Sequence, residues 1–226
     1  MRGSVVYRTT ARTTATRAQS QAKILRAAAK LFATQGYDAT TMQDIVTAAG
    51  SSIGNAYFYF GSKEGLLRSL VESSSTAMFD EAEQRTQHLA DGVERIGAII
   101  AFNTMNFLIT HRGMLRIVTV DSRLSVIQGL GDLAIQRWQP RLAAALPDRP
   151  AKELPAIAAA IWGVDRSLVE RIGRGVITMP TRDAVGFMVR WTMRALGISA
   201  ARTERIVASS WKLASRHIRA EGSASW

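Results

Sequence analysis

The chain contains no cysteine. Disulfide staples, thiolate nucleophiles and thiolate metal sites are therefore excluded. Its three histidines, His88, His111 and His217, are scattered along the chain and suggest no metal centre. Long apolar runs are also missing. The most apolar stretch, 97–110, is too short to span a bilayer and is interrupted by Asn103 and Asn106. The N-terminus has no apolar core of the secretory type, so a soluble, cytoplasmic chain is expected. No Ser-His-Asp arrangement, paired-carboxylate motif or glycine-rich phosphate loop appears. A catalytic role is thus not expected, and neither is a cofactor. Strict alternation of apolar and polar residues is absent too, which argues against sheet structure.

Acidic residues are scarce relative to basic ones. Over 226 residues, 29 Lys and Arg stand against 18 Asp and Glu, a net charge of +11. Such a balance points to polyanionic partners. The excess is enriched near the start. Arg2, Arg8, Arg12, Arg17, Lys23, Arg26 and Lys30 face only Asp38 and Asp44 within residues 1–60. Residues 1–18 carry no acid and no periodic apolar pattern, and read as a flexible basic arm. Two roles stay open for it, a DNA contact or a plain tail.

From about Ser20, Ile24, Ala28, Leu31 and Phe32 form one helical stripe, ended by Gly36. Thr41 is a candidate N-cap, with Asp44 as its capping-box partner, for a helix running to Ala49 and stopped at Gly50. Ser52 caps a third helix carrying Ile53 to Tyr59. Ser62 caps a fourth through Leu66, Leu67, Leu70 and Val71. Two short helices joined by a tight glycine turn have the build of a helix-turn-helix. Its second helix would lie in the major groove. Exposed Ser52, Ile53 and Asn55 would then meet the DNA. Asn55 suits adenine N6 and N7, and Ile53 suits a thymine methyl. The missing side chain of Gly54 allows close approach by the preceding helix or by DNA. Tyr57 and Tyr59 offer hydroxyls to phosphate. Lys63 begins the fourth helix, where the dipole already favours an anion.

Residues 20–71 resemble the TetR family of one-component transcriptional regulators. The likeness rests on Ile24-Leu25, Ala28, Leu31-Phe32, Gly36, Thr41, Ile45, Ala49-Gly50, Ser52, Gly54, Tyr57, Phe60, Lys63-Glu64 and Leu66. It implies DNA contacts at the positions of Gln43, Ile53, Asn55 and Tyr57, and phosphate contacts at Thr41 and Lys63. Two residues depart from the family pattern. Val46 replaces the usual alanine. Ser51 replaces a core valine, forfeiting about 1–2 kcal/mol of burial.

Helical pattern resumes at Val93 and continues over about 122–146, 152–174, 182–196 and 200–220. An all-α chain of nine to ten helices follows, with an arm (1–18), a DNA-binding domain (19–66) and a second helical domain (67–226). The resemblance implies that the second domain holds a ligand cavity and a two-fold dimer surface. Met78, Phe79, Phe102, Met105, Phe107, Leu108, Trp138, Trp162 and Asp165 are candidates to line the cavity, although such stripes also suit a packed core. Ile157, Ile161, Leu168, Val185, Met188 and Trp191 are candidates for the dimer surface. The expected function is that of a homodimeric repressor on a near-palindromic operator, released by a small apolar effector. A helical small-molecule binder with a vestigial DNA module, or a nonspecific DNA binder, would use the same features.

Overall fold

The computed structural model describes residues 11–90, 92–109 and 126–220. Residues 1–10 of the arm, His111 and the first residues of the segment expected at 122–146 lie outside them. Among the described residues there are nine α-helices and no strand. They are α1 (Ala11–Gln35), α2 (Met42–Ala49), α3 (Ile53–Phe60), α4 (Lys63–Thr86), α5 (Val93–Ile109), α6 (Val126–Ala145), α7 (Leu154–Gly173), α8 (Thr181–Ala195) and α9 (Ala200–Ala220). A 3-10 turn, Ala151–Glu153, leads into α7. No helix among them is long and apolar enough to cross a membrane. The chain divides into two compact units, Met1–Leu70 and Val71–Trp226, and α4 contributes to both.

In the first unit, Ile24, Ala28 and Phe32 of α1 are buried against Met42, Ile45 and Val46 of α2. Ala56 of α3 and Leu66, Leu67 and Leu70 of α4 are buried as well. Each junction is set by local chemistry. The Asp44 backbone N–H donates to the Thr41 hydroxyl at 3.1 Å, and the Thr41 N–H donates to the Asp44 carboxylate at 2.9 Å. The Thr41 hydroxyl and N–H together hold the Asp44 pKa below its ordinary value. Gly50 adopts φ +58°, a left-handed turn that a β-carbon would strain. Ser51 Oγ is buried there without a hydrogen-bond partner, so the serine that stands for valine also leaves a polar atom unsatisfied.

The start of α1 differs from the expectation. Residues 11–18, read as arm, are helical. Thr16, Arg17, Ala18 and Gln19 are all exposed, so this turn buries no stripe and leaves no periodic signal. They extend a helix whose anchoring lies further on, since adding a residue to a formed helix is far easier than nucleating one.

In the second unit, α5 is the central helix, buried from Val93 through Asn106 except for Glu94 and the half-buried Arg95. It packs against α8 and α9, and less extensively against α6 and α7. Contact with α9 is so close that a β-carbon on Gly97 would fall 2.4 Å from Ile206 Cγ2. Helix α9 presents Thr203, Ile206, Ser210 and Ala214 inward at helical spacing. Helix α6 pairs with α7.

Several candidates for the dimer surface belong instead to this core. Ile161, Leu168, Val185 and Met188 are 3, 8, 1 and 0% exposed. α8 turns Val185 and Met188 inward because it packs on both α5 and α9. Ile157 and Trp191 are half-buried. The outward residues on these helices include the small Ala156, Ala160 and Gly163 of α7 and the apolar Phe187 of α8, the last 42% exposed.

Candidate nucleic-acid interface and ligand cavity

α3 is held by few contacts and shows most of its surface. Ala56 is its only buried residue, while Ser52, Ile53, Gly54, Asn55, Tyr57 and Phe58 are exposed. The Ser52 hydroxyl accepts the Asn55 backbone N–H at 3.2 Å, fixing the first turn and leaving the Asn55 amide outside. A β-carbon on Gly54 would meet nothing within 4 Å. The bare backbone there does not serve packing against α2, and the open space suits an approaching partner. Thr41 and Gln43 are exposed at the start of α2, where the Gln43 side-chain amide lies 3.4 Å from the Thr47 hydroxyl. Tyr59 is half-buried and meets Phe58 and Phe60 edge-on. Along α1, Lys23, Arg26 and Lys30 form an exposed basic row at helical spacing.

Two residues depart from the reading of the sequence. Phe58, 73% exposed, is a large apolar side chain on the presented helix that the aromatic run concealed. Lys63 does not project freely. Its ammonium donates to the carbonyls of Tyr37 at 2.9 Å and Thr40 at 3.0 Å, and sits 4.3 Å from the centre of the Tyr37 ring. It closes the α1–α2 loop onto the start of α4 by bonding two carbonyls of that loop. Hydrogen bonds to a charged group contribute about 1.5–3 kcal/mol. Lys63→Met is therefore expected to destabilise the first unit by about 2 kcal/mol, measured by denaturant unfolding of the full chain. The salt dependence of DNA binding should stay unchanged, whereas loss of a phosphate anchor would lower its logarithmic slope by about 1.

The second unit contains a partly enclosed cavity of about 80 Å³. Met78 and Phe79 of α4, Phe107 of α5, Trp138 of α6, and Trp162 and Asp165 of α7 line it. Phe102, Met105 and Leu108 do not, and are 1, 1 and 5% exposed in the core. On α5 the cavity side is Ile100, Asn103 and Phe107, a stripe invisible in a helix that is apolar all round. Gly131 lies under the Trp162 ring, where a β-carbon would come within 3.3 Å.

Polar groups on this wall are few. Asn103, 6% exposed, has a side-chain oxygen with no hydrogen-bond partner. The Thr104 hydroxyl donates to Asp165 Oδ1 at 2.6 Å. Burial pushes the Asp165 carboxyl up to about 6, partly offset by that hydrogen bond. Arg166 lies 5.6 Å from the Trp162 ring centre and 3.9 Å from Glu170, which also meets Arg174 at 3.5 Å. Burial lowers the Arg166 pKa, and Glu170 counters the shift. The polar members were legible only as oddities in apolar helices. Among the described residues, no group of three or more His, Asp or Glu side chains could hold a metal.

Comparison with known proteins bears on the first unit most directly. Residues 24–70 match the model described as bacterial regulatory proteins, tetR family. The chain is 35% identical over 68 residues to an uncharacterized HTH-type transcriptional regulator, YfiR, of Bacillus subtilis, covering 30% of this chain and 33% of that protein. It is 32% identical over 100 residues to the HTH-type transcriptional repressor NicS of Pseudomonas putida, covering 44% of this chain and 46% of that protein. A second Bacillus subtilis regulator is matched over 56% of its length, so the chain spans between a third and just over half of the length of these three relatives. In three dimensions the chain is similar to RolR in complex with resorcinol. The TM-score is 0.65 at 18% identity, covering 86% of this chain and 95% of that one. At that identity the likeness is one of fold, and it extends through the second unit.

Proposed function

We propose, from the match of residues 24–70 to the tetR family of bacterial regulatory proteins, that the chain is a homodimeric, sequence-specific repressor of that family, released from its operator by a small molecule. The observation that carries DNA binding is α3 itself. It is a capped helix with one buried residue, whose Ile53, Asn55 and Tyr57 are free to meet base edges and phosphates. An effector site is supported by the cavity in the second unit, with its aromatic walls and sparse polar groups. RolR, a structural neighbour, was crystallised with resorcinol. Dimerisation is assigned to the outward faces of α7 and α8.

Helix α4 is the proposed lever. Its first turns bury Leu66, Leu67 and Leu70 in the first unit, and Val71, Ser75, Met78 and Phe79 further along line the cavity. A ligand shifts the equilibrium only by its differential affinity for the bound and released states. Reciprocity then requires operator DNA to weaken ligand binding by the same factor.

The test is titration of the full chain against DNA from upstream of its own gene and against random duplex. Asn55→Ala should cost about 1–3 kcal/mol on the preferred site and leave nonspecific binding nearly unchanged. A parallel fall on both DNAs would remove Asn55 as a base reader. Equal affinity of the wild type for both would favour a nonspecific binder.

A further inference from the structure

We propose that the cavity selects an apolar, ring-sized molecule through a hydrogen-bond donor, a hydroxyl or an ammonium, presented to Asn103 Oδ1 and the Asp165 carboxylate. This rests on the cavity being the effector site. The walls around it are Phe79, Phe107, Trp138 and Trp162, flat surfaces suited to a ring. What they cannot supply is a partner for the acceptors. Asn103 Oδ1 is buried and unpaired, a state that costs about 1–3 kcal/mol and is therefore rare.

Asp165 adds a second acceptor on the same wall. The hydroxyl of Thr104, next to Asn103 on α5, donates to Asp165 Oδ1 at 2.6 Å, and Asn103 and Asp165 both line the cavity. Among the described residues, no cation lies within ion-pair distance of Asp165. Glu170, the other carboxylate of the lining, differs in meeting both Arg166 and Arg174. The lining thus holds one unpaired acceptor, Asn103 Oδ1, and a carboxyl whose one hydrogen bond comes from Thr104, and the chemistry that completes it is a donor. A ligand carrying only acceptors would leave Asn103 Oδ1 unsatisfied and add repulsion from the carboxylate. A site built to bond a donor rejects analogues lacking it more strongly than an apolar pocket rejects a missing methylene.

The two sources of a donor are separable with four probes on one skeleton: toluene, benzaldehyde, benzyl alcohol and benzylamine. Affinities are measured on the full chain by ligand-observed NMR titration. Benzyl alcohol or benzylamine should bind about 10-fold or more tightly than toluene and benzaldehyde, the factor expected of one hydrogen bond to a charged acceptor. The tighter of the two names the neutral or the cationic source. Asn103→Leu, close in volume, should bring the four affinities within about 3-fold of one another. Asp165→Asn should do the same for benzylamine above all. If toluene and benzaldehyde bind wild type as well as the donor-bearing probes, the selection is overturned while the cavity stands as a ligand site. If none of the four binds, the effector-site reading falls with it.

Discussion

Replacing Gly163 with arginine is expected to leave each protomer folded and to lower operator affinity by about 100-fold or more, the loss expected when two linked half-site contacts become one. Gly163 is exposed on α7, in line with Ala156 and Ala160 at helical spacing. A β-carbon there meets nothing within 4 Å, so the protomer itself has room for a side chain. Removing a glycine from a helix interior even favours the helix by about 1 kcal/mol. A partner helix laid across this small-residue face would have no room for a guanidinium. Recognition helices related by a two-fold axis need half-sites related by the same axis. Phe187→Asp, on the outward side of α8, should act in the same direction. Sedimentation at micromolar concentration and anisotropy titration with a near-palindromic operator read the two effects separately. A Gly163→Arg protein that stays dimeric and keeps full affinity would move the interface away from α7.

Asp165→Asn is expected to raise the stability of the ligand-free protein at pH 8 by about 2–3 kcal/mol, since each unit of pKa shift corresponds to about 1.4 kcal/mol. The carboxyl titrates near 3.8 when unfolded and near 6 when folded. The folded state therefore holds this proton more tightly. The stability linked to it is fully present below about pH 4 and is lost as pH rises through about 6. The charged groups on the same wall are Arg166 and Glu170, both on α7. From α4, α5 and α6 the lining contributes no ionisable side chain, and Thr104 contributes a hydroxyl. Asparagine keeps the shape and removes the buried charge. Denaturant unfolding at pH 5 and pH 8 checks the prediction, with the gap between variant and wild type widening at the higher pH. Parallel profiles would mean that Asp165 is solvated. The same substitution should weaken binding of donor-bearing ligands, so stability and effector response would move in opposite directions.

What the sequence by itself determined is what short-range chemistry decides. Caps join residues three apart, so Thr41 with Asp44, and Ser52 with the Asn55 backbone, are readable before any packing is known. A left-handed stop needs glycine, and Gly50 supplies it. These signals, with the apolar stripe of Ile24, Ala28 and Phe32, carried the helical fold and the presented helix α3. Tertiary structure decided the rest, for three physical reasons. A helix apolar on all sides has no phase, so only packing assigns Asn103 and Phe107 to a cavity and Phe102 and Met105 to the core. A helix packed on two neighbours turns inward residues that a single stripe would place outside, which buried Val185 and Met188 and left Phe187 exposed. A charged side chain takes whatever partner the fold brings near. Lys63, at a helix start suited to phosphate, is held instead by carbonyls 23 and 26 residues earlier in the chain.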